Sequence, residues 1–105
     1  MLASEQQFVA ISAAASGANT LVAADTTRKI RVVQFFMVSA GSVVATFQSG
    51  AGGTALTGPM SLITGVYVDA SGPFGCFETA VNTLLNLNLS GAVQVSGFLV
   101  YVLVT

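Results

Sequence analysis

Apolar and polar positions along the chain alternate in short blocks, and clusters of Gly, Ser, Asn and Pro interrupt them every 8 to 12 residues. That spacing belongs to an all-β sandwich or barrel, and no apolar repeat of 3.6 residues runs long enough for a helix. Strands are expected over residues 6–13, 19–23, 29–39, 42–48, 54–57, 60–63, 66–69, 76–79, 85–89 and 93–105. In residues 85–90 the alternation is plain: Leu85, Leu87 and Leu89 form a core face, and Asn86, Asn88 and Ser90 face water or a polar partner. Residues 29–39 are apolar on both parities after Arg31, the signature of a strand covered on both faces. The last strand, residues 93–105, ends in a long apolar run that has to be paired inside a sheet. Connections are too short for crossovers, so the strands are antiparallel. The expected fold is a jelly-roll-like antiparallel β-sandwich of about 8 strands. An immunoglobulin-type sandwich fits less well, because the chain has no Trp and a single Cys.

The chain's 105 residues make one domain, 1–105. Residues 1–28 read either as an edge strand of that domain or as an arm reaching over a neighbour. Hydrophobic residues make up 53% and charged residues 7%, against about 25% charged in ordinary soluble domains. Disordered chains are polar and charge-rich, so disorder is excluded. Seven charged side chains cannot coat the surface of a folded domain, and contiguous uncharged surface marks association sites. The net charge of −1 adds little self-repulsion.

The same scarcity removes most chemistry. With no His and one Cys, general acids, bases and metal ligands are nearly absent, and the protein is read as a non-enzyme without cofactor or metal. Three cations against four acids make no nucleic-acid footprint. A spanning helix needs about 20 consecutive apolar residues, and no stretch here reaches that; a spanning barrel needs at least eight strands of about 9 to 11 residues. No membrane is expected. The first residues hold Glu5 and two Gln but no basic n-region, so they do not predict a secretion signal.

The side chains that remain are candidates for partner contacts: Arg28, Lys29, Arg31, Asp69, Glu78 and Phe74. Arg28, Lys29 and Arg31, with Asp25 beside them, read as a solvated strand start or an inter-subunit ion pair. Asp69 and Glu78 flank the ASGPFG turn at residues 70–75. Two facing acids are what a glycosidase needs, but exposed carboxylates pairing with Arg28, Lys29 or Arg31 are the simpler reading. Cys76 has no adjacent base or cation to make it a nucleophile, and it is expected as a small buried side chain. Residues 50–53 read as a hairpin loop, since no strand-to-helix frame makes them a phosphate loop. Asn88-Leu89-Ser90 matches a glycosylation acceptor only in letters, inside a strand. Most aromatics sit on expected strands and default to core. Phe74, in a Gly-Pro turn, is the exception and a candidate anchor for a partner's pocket.

The pieces KIRVVQFF, AGSVVATFQSG, GTALTGPMSL, VDASGPFGCFETA and LLNLNLSGAVQVSGFLVY, spread from Lys29 to Tyr101, resemble short virion structural proteins of tailed bacteriophages. Phages of cyanobacteria and marine bacteria carry such proteins, and the capsid decoration, or cement, type is the nearest. The resemblance implies a β-sandwich that forms a homotrimer on the outer face of the head and clamps copies of the major capsid protein. It also implies assembly in the host cytoplasm and residence in the virion. It brings no catalytic or cofactor-binding residue. Many weak contacts to a repeated surface suit such a role, because multivalency supplies strength without one tight site. The alternative is a receptor- or carbohydrate-binding module of a head or tail fibre, with Tyr67, Asp69, Asn86 and Asn88 as the material for a saccharide pocket.

Overall fold

The computed structural model describes residues 5–105. Ten strand segments form two five-stranded sheets: β1 (Gln7–Ala13), β2 (Gly17–Val22), β3 (Lys29–Ser39), β4 (Val43–Ser49), β5 (Thr54–Ala55), β6 (Met60–Leu62), β7 (Tyr67–Ser71), β8 (Phe77–Glu78), β9 (Leu85–Leu89) and β10 (Val95–Val104). One sheet runs β1-β10-β3-β7, with β8 also on β3; the other runs β2-β9-β4-β5, with β6 also on β4. All of these strand pairs are antiparallel. β5 and β6 follow one another along β4, and β7 and β8 follow one another along β3. The ten segments therefore occupy eight strand positions, four to a sheet. The chain passes back and forth between the sheets in jelly-roll order, as the strand spacing predicts.

Differences from the expected strands lie at their ends. Residues 56–57 leave the sheet after β5, and the expected 76–79 strand shrinks to the two residues of β8. β2 starts earlier than expected, at Gly17, because Asn19 organises the turn before it: its amide donates to the carbonyls of Ala15, Gly17 and Leu87. β1 and β2, the part of the chain open to two readings, pair with β10 and β9 of the same chain.

The core lies between the sheets. Ile11, Ile30, Val32, Phe35, Met37, Val95 and Leu99 face it from one side, and Val43, Ala45, Phe47, Leu62, Leu85, Leu87 and Leu89 from the other. At its centre three rings meet: Phe47 lies 5.1 Å from Phe35 and 4.9 Å from Phe77 between centroids. Two buried hydroxyls are satisfied inside this layer. Thr79 accepts from the Ile30 amide at 3.0 Å and donates to the Ala80 carbonyl at 2.9 Å, while Ser39 donates to the Ile63 carbonyl.

β3 departs from the sequence expectation in an informative way. It is central within its sheet, flanked by β10 and by β7 and β8, yet only one of its faces is covered. Ile30, Val32, Phe35, Met37 and Ser39 are buried, whereas Gln34 is exposed and Val33, Phe36 and Val38 are half-buried. The switch of parity between Val32 and Phe35 is a β-bulge. Tyr101 pairs with Val32 and Val100 with Gln34, leaving Val33 as the extra residue. Apolar residues on both parities thus reflect a bulge plus an apolar outer face.

Candidate interface

The outer face of the β1-β10-β3-β7 sheet is built by that register. Phe98 pairs with Phe36, which pairs in turn with Asp69; Phe8 pairs with Val100, which pairs with Gln34, and Gln34 with Ser71; Val38 pairs with Tyr67. Because the bulge resets the alternation, Arg31 and Phe36 both point outward although they are five positions apart, an odd offset that would put them on opposite faces of a regular strand. Phe36 stacks on Phe98 with centroids 6.0 Å apart and lies 5.4 Å from Tyr67. The three rings make an aromatic row across the sheet. Phe98 is 41% exposed, Tyr67 59% and Phe8 76%. Reading every strand aromatic as core missed this row. The available signal was the apolar outer parity of β3, which a covered strand would also show.

Beside the row stands the turn that interrupts β7 and β8. Its position matches the bulge: the Gly72 amide donates to the Val33 carbonyl at 3.0 Å, and the Cys76 amide to the Val32 carbonyl at 2.6 Å. Gly75 donates back to Gly72 at 3.1 Å and closes the turn. Gly75 has φ of 100°, and a Cβ there would lie 2.7 Å from the Arg31 stem, so glycine serves both the backbone and the packing. Phe74, at the tip, is 89% exposed, as expected of an anchor without a pocket in its own domain. Between the turn and the sheet face lies an open groove of about 240 Å³, lined by Gln6, Val33, Gln34, Ser71, Gly72, Pro73 and Val100.

The three basic residues sit at the edge of this face and pair within the chain. Glu78 accepts from Arg31 at 2.8 Å and from Lys29 at 3.3 Å, and Arg28 pairs with Asp25 at 3.1 Å. The Arg31 hydrogen bond, with a second from Lys29, holds the Glu78 carboxyl below its usual range despite some desolvation. Asp25 is also lowered, first by the Thr27 amide and then by Arg28. Asp69 makes no ion pair among the described residues; it lies opposite Phe36, away from the cations. The reading that paired both acids with the basic residues therefore holds for Glu78 and not for Asp69.

Since Glu78 is depressed relative to the unfolded chain, it adds stability above the unfolded glutamate value of about 4.3. That contribution is lost as pH falls through the lower folded value. Thermal melts of Glu78→Gln are expected to show a shallower fall in Tm than wild type across that acid window, with the gap between the two proteins greatest near neutrality. A parallel pair of curves would remove Glu78 from the acid response.

Three further sequence readings change. Asp69 and Glu78 do not face one another: their β3 partners, Phe36 and Arg31, lie opposite Phe98 and Val102, four residues apart on β10. That places the two acids roughly 13 Å apart along the strand direction, beyond the ~5 to 9.5 Å of a glycosidase pair. Tyr67 and Asp69 lie on one sheet and Asn86 and Asn88 on the other, so they do not form one saccharide pocket. Asn86 is fully buried on the non-core side of β9; its amide donates to Gln48 Oε1 at 2.7 Å, and its Oδ1 has no partner among the described residues. Cys76 is exposed rather than buried, because it ends the turn instead of entering β8. Partial desolvation pushes its thiol up, away from the thiolate. Residues 50–53 form the expected loop between β4 and β5, closed by Gly53 donating to Gly50. Among the described residues, no group of three or more His, Cys, Asp and Glu is placed to hold a metal.

No protein-family model matches the chain, and no curated protein sequence is similar to it. Among solved structures, it is similar in fold to one described as "Bacillus endospore appendages form a novel family of disulfide-linked pili". The TM-score is 0.55 at 16% identity, over 96% of this chain and 88% of that one. An identity this low speaks for the fold alone.

Proposed function

We propose that this protein is a non-enzymatic structural subunit that works docked in a larger assembly, and that the assembly is the head of a tailed bacteriophage. There it decorates the outer surface as a homotrimer and stabilises the shell of major capsid protein. The observation that carries the assembly role is the aromatic row Tyr67–Phe36–Phe98, left uncovered on a surface with few charges. The choice of a phage head comes from the resemblance of residues 29–101 to decoration proteins. Purified protein mixed with expanded heads lacking it is expected to bind in a fixed ratio and raise their heat resistance. Heads that stay bare at saturating protein would end this reading.

A second reading is favoured by the fold match: a subunit of a pilus-like fibre. The chain carries one cysteine, and one thiol can join a copy to only one other copy. A fibre of this chain would therefore be held without a continuous disulfide network. Electron microscopy of concentrated protein separates the two readings, filaments favouring the fibre and decorated heads the capsid. The fibre-tip reading, with a saccharide pocket, is weakened by the split of its four residues between opposite faces.

A further inference from the structure

We infer that Phe74 of one copy seats in the groove beside the 72–75 turn of a second copy, so that this chain's partner on the outer face of the β1-β10-β3-β7 sheet is itself. The inference deepens the assembly reading and rests on it. Knob and hole are both present in the one sequence. Phe74 is almost fully exposed, yet its turn is fixed by backbone hydrogen bonds to the Val32 and Val33 carbonyls at the bulge of β3. A ring carried on a backbone fixed before binding gives up only its side-chain freedom when it docks. The groove of about 240 Å³ opens on the same face; Val33 and Pro73 offer it apolar surface over a nearly buried Val100, Gln6, Gln34 and Ser71 give it an uncharged polar rim, and no charged residue lines it.

Area and charge point to a second copy as the occupant. The four strand positions of this face hold 7, 10, 11 and 7 residues, β7 and β8 counted together, and at about 4.8 Å between strands and about 3.3 Å per residue they present roughly 550 Å². Two such faces bury about 1,100 Å² together, just above the ~1,000 Å² that a specific interface has to clear. A partner has to be as poor in charge as this face to cover it without stranding ions. In this chain Arg31, Lys29 and Glu78 already pair at the rim, while Asp69, opposite Phe36 and without an ion pair among the described residues, has to stay at the solvent-open margin of the contact.

The test is mass in solution by sedimentation, across micromolar to millimolar protein. Wild type is expected to form a closed oligomer. Phe74→Ser is expected to weaken association at least about 30-fold, as loss of a central aromatic anchor does, and to melt with wild type at dilutions where both are monomeric, because Phe74 touches little of its own domain; where wild type is assembled, wild type melts higher. Phe74→Tyr should restore the oligomer. Ser71→Trp, which fills the hole from the exposed end of β7, should abolish it. Mixing Phe74→Ser with Ser71→Trp should return a two-chain species, because one supplies the hole and the other the knob. A monomeric wild type, or an oligomer indifferent to Phe74→Ser, overturns the inference. Head binding by wild type under either of those outcomes would leave decoration of the head standing, and a monomeric wild type would remove only its trimer. A Phe74-dependent oligomer that ignores heads would sink the capsid reading and keep the inference.

Discussion

Phe47→Ala is expected to cost about 3–5 kcal/mol and to lower Tm by roughly 15–30 °C. Phe47 is fully buried on β4 and contacts Phe35 on β3 and Phe77 on β8, so its ring links the two sheets at their centre. Removing it takes away the transfer energy of the ring and leaves a cavity whose walls are strands held in two hydrogen-bonded sheets, which cannot collapse inward. A domain of this size is stable by about 5–15 kcal/mol in total. The variant is therefore expected to sit near the edge of unfolding at physiological temperature, read by urea titration followed by circular dichroism. A loss under 1 kcal/mol would mean that the three-ring cluster does not hold the sheets together.

Gly97→Ala is expected to cost about 3 kcal/mol although it adds a single methyl group. In β10, Gly97 pairs with Ile11 on one side and Met37 on the other. A Cβ built there would fall 1.9 Å from the Phe36 carbonyl oxygen and 2.8 Å from Met37 Cα. Those are backbone atoms of the neighbouring strand, and no side-chain rotation moves them aside. Relief requires β10 to shift against β3, which disturbs the pairing beneath the Phe36–Phe98 stack. The same melts measure the loss, and exposure of Phe98 should alter the association that depends on this face. A variant as stable as wild type would show that the two strands can part at little cost.

The sandwich was legible because its strands are short, punctuated and, in β9, cleanly alternating. Leu85, Leu87 and Leu89 carry enough information to fix which parity is core. β3 carries less. Since Val33, Phe36 and Val38 are as apolar as Ile30, Val32 and Phe35, a slip of parity leaves no mark in the letters, and the bulge at Val33 was hidden. The outer aromatic row was hidden with it. Phe74 was recognisable as an outlier, because a Gly-Pro turn cannot bury a ring in its own strand. The exposure of Cys76 was not, since it depends on whether residue 76 ends the turn or starts the strand, a difference of one position. Glu78 found its cations through strand pairing across 47 residues, which sequence spacing does not encode; Asp69 lost them for the same reason.

The order of strands bears on how the molecule comes into being. β10 lies between β1 and β3, and β9 lies between β2 and β4. Gln7 thus finds its partner only at Tyr101, and Gly17 only at Leu89. During synthesis the first two strands wait, hydrophobic and unmatched, until residues 85–104 have left the ribosome. Closing loops that long before any reward is the entropic burden that slows folding in such topologies, and the waiting strands are the stretch of its life in which this chain most needs a chaperone.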